Sequence, residues 1–164
     1  MKAANLFVGL FAIILLTLPA FSGDTDTLRL IGASKTEVLS RYGQPSQILG
    51  PEQGYQTYEY PDGLGIVIRQ GKVVQYISKS DSRYKTDKGI RIGSSLADVT
   101  RAYGAYTSTE EVGQWFAGDK QKVLYHHPEF DRYKINYAES DVLFMFDKDK
   151  KVESIWVGYI FPKE

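Results

Sequence analysis

The residue types able to carry chemistry are few. His126 and His127 are the only imidazoles in the chain, so histidine-dependent acid–base or metal chemistry must use them. On a strand, consecutive side chains point to opposite faces, and the pair could share one ion only across a kink. Pro128 offers a kink, and Glu129 and Asp131 lie close enough to add oxygen ligands. A solvated His-His-Pro-Glu loop explains the same residues, and no metal is expected. Asp147-Lys148-Asp149-Lys150 begins like a calcium loop but lacks the glycine at position six and the closing glutamate, which makes it a hairpin turn. Gly93-Ser94-Ser95 could present a serine nucleophile, and Glu110-Glu111 a carboxylate, yet adjacent acids rarely converge on one atom. Neither a G-x-S-x-G elbow nor a phosphate-cradling glycine loop occurs. With 0 Cys there is no disulfide, thiolate ligand, thiol nucleophile or lipid-bearing N-terminal cysteine. The expectation is a protein that is not an enzyme, with no cofactor and no catalytic residue. A hydrolase with carboxylates gathered from distant positions is the weakest alternative.

Aromatic residues point to contact chemistry instead. The chain carries 12 Tyr, 8 Phe and 2 Trp. Tyr55, Tyr58, Tyr60, Trp115, Phe116, Tyr125 and Trp156 are the candidate binding residues, because Tyr and Trp combine large buried area with a polar handle. The competing role for each is to fill the core. Charge narrows the partner class. Lys+Arg total 20 and Asp+Glu 20, so no basic stripe is available to neutralise phosphates and nucleic acid is excluded as a partner. A hydrophobic fraction of 43% supports a real core in a chain of 164 residues and rules out wholesale disorder.

What must position these side chains begins after an address segment. Met1-Lys2 is a short positive start, Leu6 to Leu18 is almost wholly apolar, Pro19 breaks the run, and Ala20-Phe21-Ser22 offers small residues before a cut ahead of Gly23. This is the layout of a secretory signal peptide over residues 1–22, and the apolar run is too short for a permanent spanning anchor. The sequence therefore predicts a periplasmic or secreted protein with no stable membrane insertion after cleavage. Without cysteine, its stability in that oxidising compartment rests on apolar packing.

Self-comparison reveals an internal echo. Residues from Ile31 to Gly43 align with Ile92 to Gly104 at a constant offset of 61, sharing Ile, Gly, the second Ser, Val, Tyr and Gly. Ser34 and Ser95 read as helix N-caps, Glu37 and Asp98 as the closing members of capping boxes, and Gly43 and Gly104 as helix stops. Val38 with Tyr42, and Val99 with Tyr103, share a helix face at i, i+4 spacing. Strands are predicted over Tyr55–Tyr60, Gly65–Arg69 and Lys72–Ser78, then over Arg132–Ala138, Val142–Phe146 and Lys151–Ile160. The Lys-Val pairs Lys72-Val73 and Lys151-Val152 stand 79 apart, so the second copy holds about 18 extra residues. This insertion, within residues 105–131, is aromatic-rich and reads as an extra hairpin turning at Gly118-Asp119-Lys120.

The predicted fold class is α+β, two tandem helix-plus-antiparallel-meander repeats with the helices packed on one face of the sheets. The first repeat spans 23–89, including the polar joining stretch Lys79 to Lys88. The second spans 90–164 and carries the inserted aromatic hairpin. The run Ile31-Gly32-x-Ser34-Lys35-x-Glu37-Val38-x-x-x-Tyr42-Gly43-x-Pro45, followed by a Tyr-rich strand, resembles the SmpA/OmlA-like (BamE-like) domain of bacterial envelope proteins. The tandem arrangement is closer to the β-lactamase-inhibitor-protein-like superfamily. The resemblance covers most of Leu30 to Ile160, though chiefly at capping and core positions. It implies a non-enzymatic protein acting by contact, through an aromatic-rich sheet surface, on another envelope or extracellular protein. The chain departs from the lipoprotein members in lacking a lipobox cysteine and in carrying two units. The alternative function is a small-ligand or cell-wall-fragment binder that uses residues 105–131 as a stacking platform.

Overall fold

The computed structural model describes residues 29–52, 54–79, 82–107, 109–111, 122–137 and 141–158. The signal segment, Trp115 and Phe116 lie outside them. Two helices, α1 (Lys35–Tyr42) and α2 (Leu96–Tyr103), accompany nine strands: β1 (Gln47–Glu52), β2 (Tyr55–Glu59), β3 (Leu64–Arg69), β4 (Lys72–Ser78), β5 (Thr109–Glu111), β6 (Leu124–His127), β7 (Arg132–Tyr137), β8 (Val142–Phe146) and β9 (Val152–Gly158).

Each helix has only 8 residues and depends on its ends. Ser34 Oγ accepts from the Glu37 amide at 3.2 Å, and the Glu37 carboxylate accepts from the Ser34 amide at 2.6 Å. Ser95 and Asp98 form the same reciprocal pair at 3.2 and 3.0 Å. These hydrogen bonds from the cap serines hold both carboxyls below their ordinary range. At the other end the Gly43 amide donates to Leu39 and the Gly104 amide to Thr100. The helix-stop carbonyls are then tied to the sheet: Tyr60 donates its hydroxyl to Gly43 O at 3.2 Å, and Tyr137 donates to Gly104 O at 2.7 Å. The segment entering each helix is laced to a hairpin: the Gly32 amide donates to Val73 O and the Val73 amide to Ala33 O, as the Gly93 amide donates to Val152 O and the Val152 amide to Ser94 O, all at 2.8 Å.

All nine strands belong to one sheet in the order β1-β2-β3-β4-β9-β8-β7-β6-β5. The expected α+β pair of tandem helix-plus-meander repeats is therefore corrected: the described residues are predominantly β, a single continuous sheet carrying two short helices. The cause is the seam between β4 and β9, where Gln75, Tyr76, Ile77 and Ser78 pair antiparallel with Gly158, Val157, Trp156 and Ile155. Each strand satisfies the open backbone edge of the other. β1, β5 and β6 then extend the sheet beyond any three-stranded meander. At the ends of the insertion β5 and β6 run parallel, with Thr109 opposite Leu124. The proposed turn at Gly118-Asp119-Lys120 lies outside the described residues.

The core lies on the helix-bearing face of the sheet. Val38 of α1 packs among Tyr58, Leu64, Ile66, Ile68, Val73 and Tyr76. Val99 of α2 packs among Ile135, Phe144, Phe146, Val152 and Ile155. Val157 on the seam touches both groups. The polar joining stretch is not solvated throughout: Tyr84 is buried in the first group and donates its hydroxyl to Asp62 at 2.7 Å.

Burial raises the phenols of this core. Desolvation pushes Tyr60, Tyr84, Tyr103 and Tyr137 up to about 12, and drives Tyr76 higher still. A phenol whose folded value exceeds its unfolded one favours the fold fully below about pH 10, and that contribution disappears as pH rises through the folded value. Alkaline titration of phenolate absorbance is thus expected to show a late step near pH 12 from these four groups. In urea that step should merge into the ordinary range near pH 10; its persistence there would contradict the assignment to burial.

Candidate functional site

The face of the sheet away from the helices is set by the pairing register. Residues directly opposite across strands share a face. The row Ile77–Trp156–Leu143–Asn136 and the row Met145–Lys134–Tyr125 therefore lie on one side. Thr57, Val67 and Gln75 continue this side toward the other edge.

Two β-bulges decide which side chains reach it. The β3–β4 register passes from Val67↔Gln75 to Ile68↔Val73, leaving Val74 as the extra residue. On β8–β9 it passes from Met145↔Ser154 to Phe146↔Val152, leaving Glu153 extra. Simple alternation along β9 would group Val152 with Trp156. The bulge instead turns Val152 to the helices with Ile155 and Val157, and leaves Ser154 and Trp156 on the helix-free side.

The site residues expected from the sequence divide accordingly. Tyr58 and Tyr60 face the helices as buried core. Tyr55 and Trp156 are half-buried on the helix-free side. The Arg69 guanidinium lies 4.9 Å from the Tyr55 ring centroid, and the Trp156 indole N–H donates to Ser154 Oγ at 3.1 Å. Tyr125 is on the same side but 1% exposed, with the Lys134 ammonium 5.2 Å from its ring centroid. Trp115 and Phe116 lie outside the described residues. The sheet thus brings Tyr55, Trp156 and Tyr125 to one face and removes Tyr58 and Tyr60 from it.

Sequence reasoning missed a buried polar patch on this face. Lys134, Asn136, His127 and Tyr125 are all buried, and the Tyr125 hydroxyl and Asn136 Oδ1 have no hydrogen-bond partner among the described residues. The alternation Arg132-Tyr133-Lys134-Ile135-Asn136-Tyr137 marks a polar face on β7, but nothing local says that face is buried. The histidines diverge. His126 stacks on Tyr133 at 4.6 Å on the helix-bearing side, with Nε2 lying 3.0 Å from Asp131 Oδ1. His127 packs against Phe130 at 4.6 Å on the other side. Among the described residues no group of three or more His, Asp or Glu is placed to hold a metal ion. Ser95, weighed above as a nucleophile, spends its hydroxyl on the α2 cap.

No family model matches the chain. No curated protein matches it either. Its fold is similar to that of an extracellular protein containing a SCP domain from Bacillus anthracis, with 14% identity and a TM-score of 0.55 over 95% of this chain and 49% of that one. It is also similar to a cysteine-rich secretory protein from Staphylococcus aureus, with 17% identity and a TM-score of 0.50 over 77% of this chain and 44% of that one. The chain spans about half the length of these two proteins. At such identity the likeness is one of fold. Neither protein is described as SmpA/OmlA-like or β-lactamase-inhibitor-protein-like. Among the described residues no helix is long and apolar enough to cross a membrane.

Proposed function

We propose that the protein is a non-catalytic module, secreted or periplasmic, that binds another envelope or extracellular protein through the helix-free face around Trp156 and Tyr55. One observation carries this reading: Trp156 sits at the seam, in the middle of a face that neither helix covers, and is half-buried with its N–H held by Ser154. A large aromatic placed there offers the rigid, amphipathic anchor typical of protein interfaces. The apolar run Leu6 to Leu18 and the extracellular character of the two structurally similar proteins support the compartment.

The test is capture of envelope and secreted proteins by the immobilised protein, followed by affinity measurement with the captured partner. Trp156→Ala is expected to weaken binding about 30-fold, the loss of an anchor worth some 2 kcal/mol. Unchanged affinity in a Trp156→Ala, Tyr55→Ala double variant with intact circular dichroism would remove the face from consideration. The buried polar patch favours a second reading, a small polar ligand such as a cell-wall fragment, held by Tyr125, which belongs to the 105–131 insertion, and by Asn136. Thermal stabilisation by soluble cell-wall fragments that Tyr125→Phe abolishes would replace the first reading with this one.

A further inference from the structure

The stretch between β4 and α2 is anchored along one side and charged along the other. Ser82, Tyr84, Thr86 and Ile90 are buried, whereas Arg83, Lys88 and Arg91 are exposed and Lys85 is half-buried. Residues 85–91 close a small loop. Lys85 and Arg91 meet in an isolated antiparallel bridge, the Thr86 amide donates to Ile90 O at 2.8 Å, and the Gly89 amide donates to Thr86 O at 2.9 Å. Thr86 Oγ1 also accepts from the Ile90 amide at 3.2 Å. Because the Thr86–Ile90 hydrogen bond lies just inside the bridge, Lys85 and Arg91 form a non-hydrogen-bonded pair, the kind whose side chains come closest. With Thr86 and Ile90 buried beneath, alternation turns Lys85 and Arg91 together to the outer side. Two like charges placed directly opposite repel. The one acid in residues 83–91, Asp87, accepts from the Tyr103 hydroxyl of α2 at 3.3 Å.

We propose that this loop is an anion site for a phosphate group, held between Lys85 and Arg91. An anion seated there converts a repulsive pair into two charge-assisted contacts. The guanidinium can bond two phosphate oxygens at once, and the ammonium supplies a point charge beside them. Arg83 and Lys88 flank the pair in sequence and raise the local potential. Their heads are steadied on aromatic rings, the Arg83 guanidinium 5.3 Å from the Tyr84 centroid and the Lys88 ammonium 4.4 Å from that of Tyr103. The loop's own hydrogen bonds fix its shape before a ligand arrives, which lowers the cost of ordering it. Four cations against one acid over residues 83–91 form a local excess that the chain's balance of 20 basic and 20 acidic residues hides. A patch this small suits one phosphate group and not the long stripe that a nucleic acid needs. Tyr84 and Ile90 pack into the helix-side core, so the site is independent of the Trp156 face and stands or falls separately.

Amide NMR of the protein titrated with inorganic phosphate tests it. Saturable shifts centred on Thr86 to Arg91 are expected, and added sodium chloride should weaken them. Lys85→Glu sets opposite charges across the bridge, so the loop should stay closed while phosphate affinity falls at least about tenfold. Lys148→Gln, on the exposed β8–β9 turn, should leave that affinity unchanged. Flotation with phosphatidylglycerol vesicles separates two sources of the group. Co-flotation that Lys85→Glu abolishes assigns a lipid headgroup, whereas binding of inorganic phosphate alone assigns a free anion. The proposal is overturned by the absence of a saturable shift in the loop, or by an equal shift from sodium chloride at matched ionic strength. Undiminished phosphate affinity in Lys85→Glu overturns it as well.

Discussion

Gly158→Ala is expected to destabilise the protein by about 2–5 kcal/mol and to lower its melting temperature by roughly 5–15 °C. Gly158 holds φ 102°, and a β-carbon there would collide with the Val74 carbonyl oxygen while lying 2.7 Å from Ile31 Cδ1 and 3.0 Å from Gln75 Cα. Two of those atoms are backbone, so no rotamer change relieves the clash. The residue pairs with Gln75 at the seam, and the obstruction would therefore pry apart the join between β4 and β9. Gly71→Ala is the control. It shares the positive φ, at 75°, but a β-carbon there meets nothing within 4 Å, and the change should cost only about 1 kcal/mol. Lys150 occupies the matching position of the β8–β9 turn at φ 56°, with a full side chain. Urea unfolding of the two variants side by side measures the difference; equal losses would show that torsion alone, not contact at the seam, accounts for Gly158.

Phe144→Ala should cost about 3–5 kcal/mol, the range for emptying an aromatic site in a closed core. Phe144 is fully buried, meets Tyr103 edge-on at 5.0 Å and Tyr137 at 6.0 Å, and lies opposite Ile135 and Ile155. The strands around it carry the load of α2. Because Val157 belongs to both packed groups and the sheet is unbroken, the loss should not be confined to one half. Hydrogen exchange is expected to show amides of β3, on the far side of the seam, losing protection together with those of β8. Retention of β3 protection after β8 has opened would mean that the halves unfold independently.

Local signals made much of this architecture legible. Ser34-x-x-Glu37 and Ser95-x-x-Asp98 announced both helices, since capping is chemistry among neighbours, and the Tyr-rich and Val-rich runs placed β2, β3, β4, β7, β8 and β9 within a few residues. What stayed hidden depends on distant partners. Gln47-Ile48-Leu49-Gly50-Pro51 is a strand only because Glu59, Tyr58 and Thr57 lie beside it; by itself it reads as a stretch ending in glycine and proline. The joining of β4 to β9 has no local mark at all, so the repeated helix-and-meander units are legible in the sequence and their fusion into one sheet is not. At the candidate site, alternation separates Tyr55 from Tyr58 and Tyr60 but does not say which face the helices take. The bulge at Glu153 then reverses the simple count that would have paired Trp156 with Val152. The buried state of Lys134 and Asn136 likewise follows from the assembled sheet and not from their own neighbours.

The seam also imposes a timetable on synthesis. Gln75 must wait for Gly158, roughly 80 residues later, and at ribosomal speeds that interval is on the order of 4 to 16 s. Throughout it, the strand from Lys72 to Ser78 offers an unfilled ladder to any passing chain. Export before completion, or a holdase that shields that ladder, would therefore govern the yield of native molecules more than the final stability does.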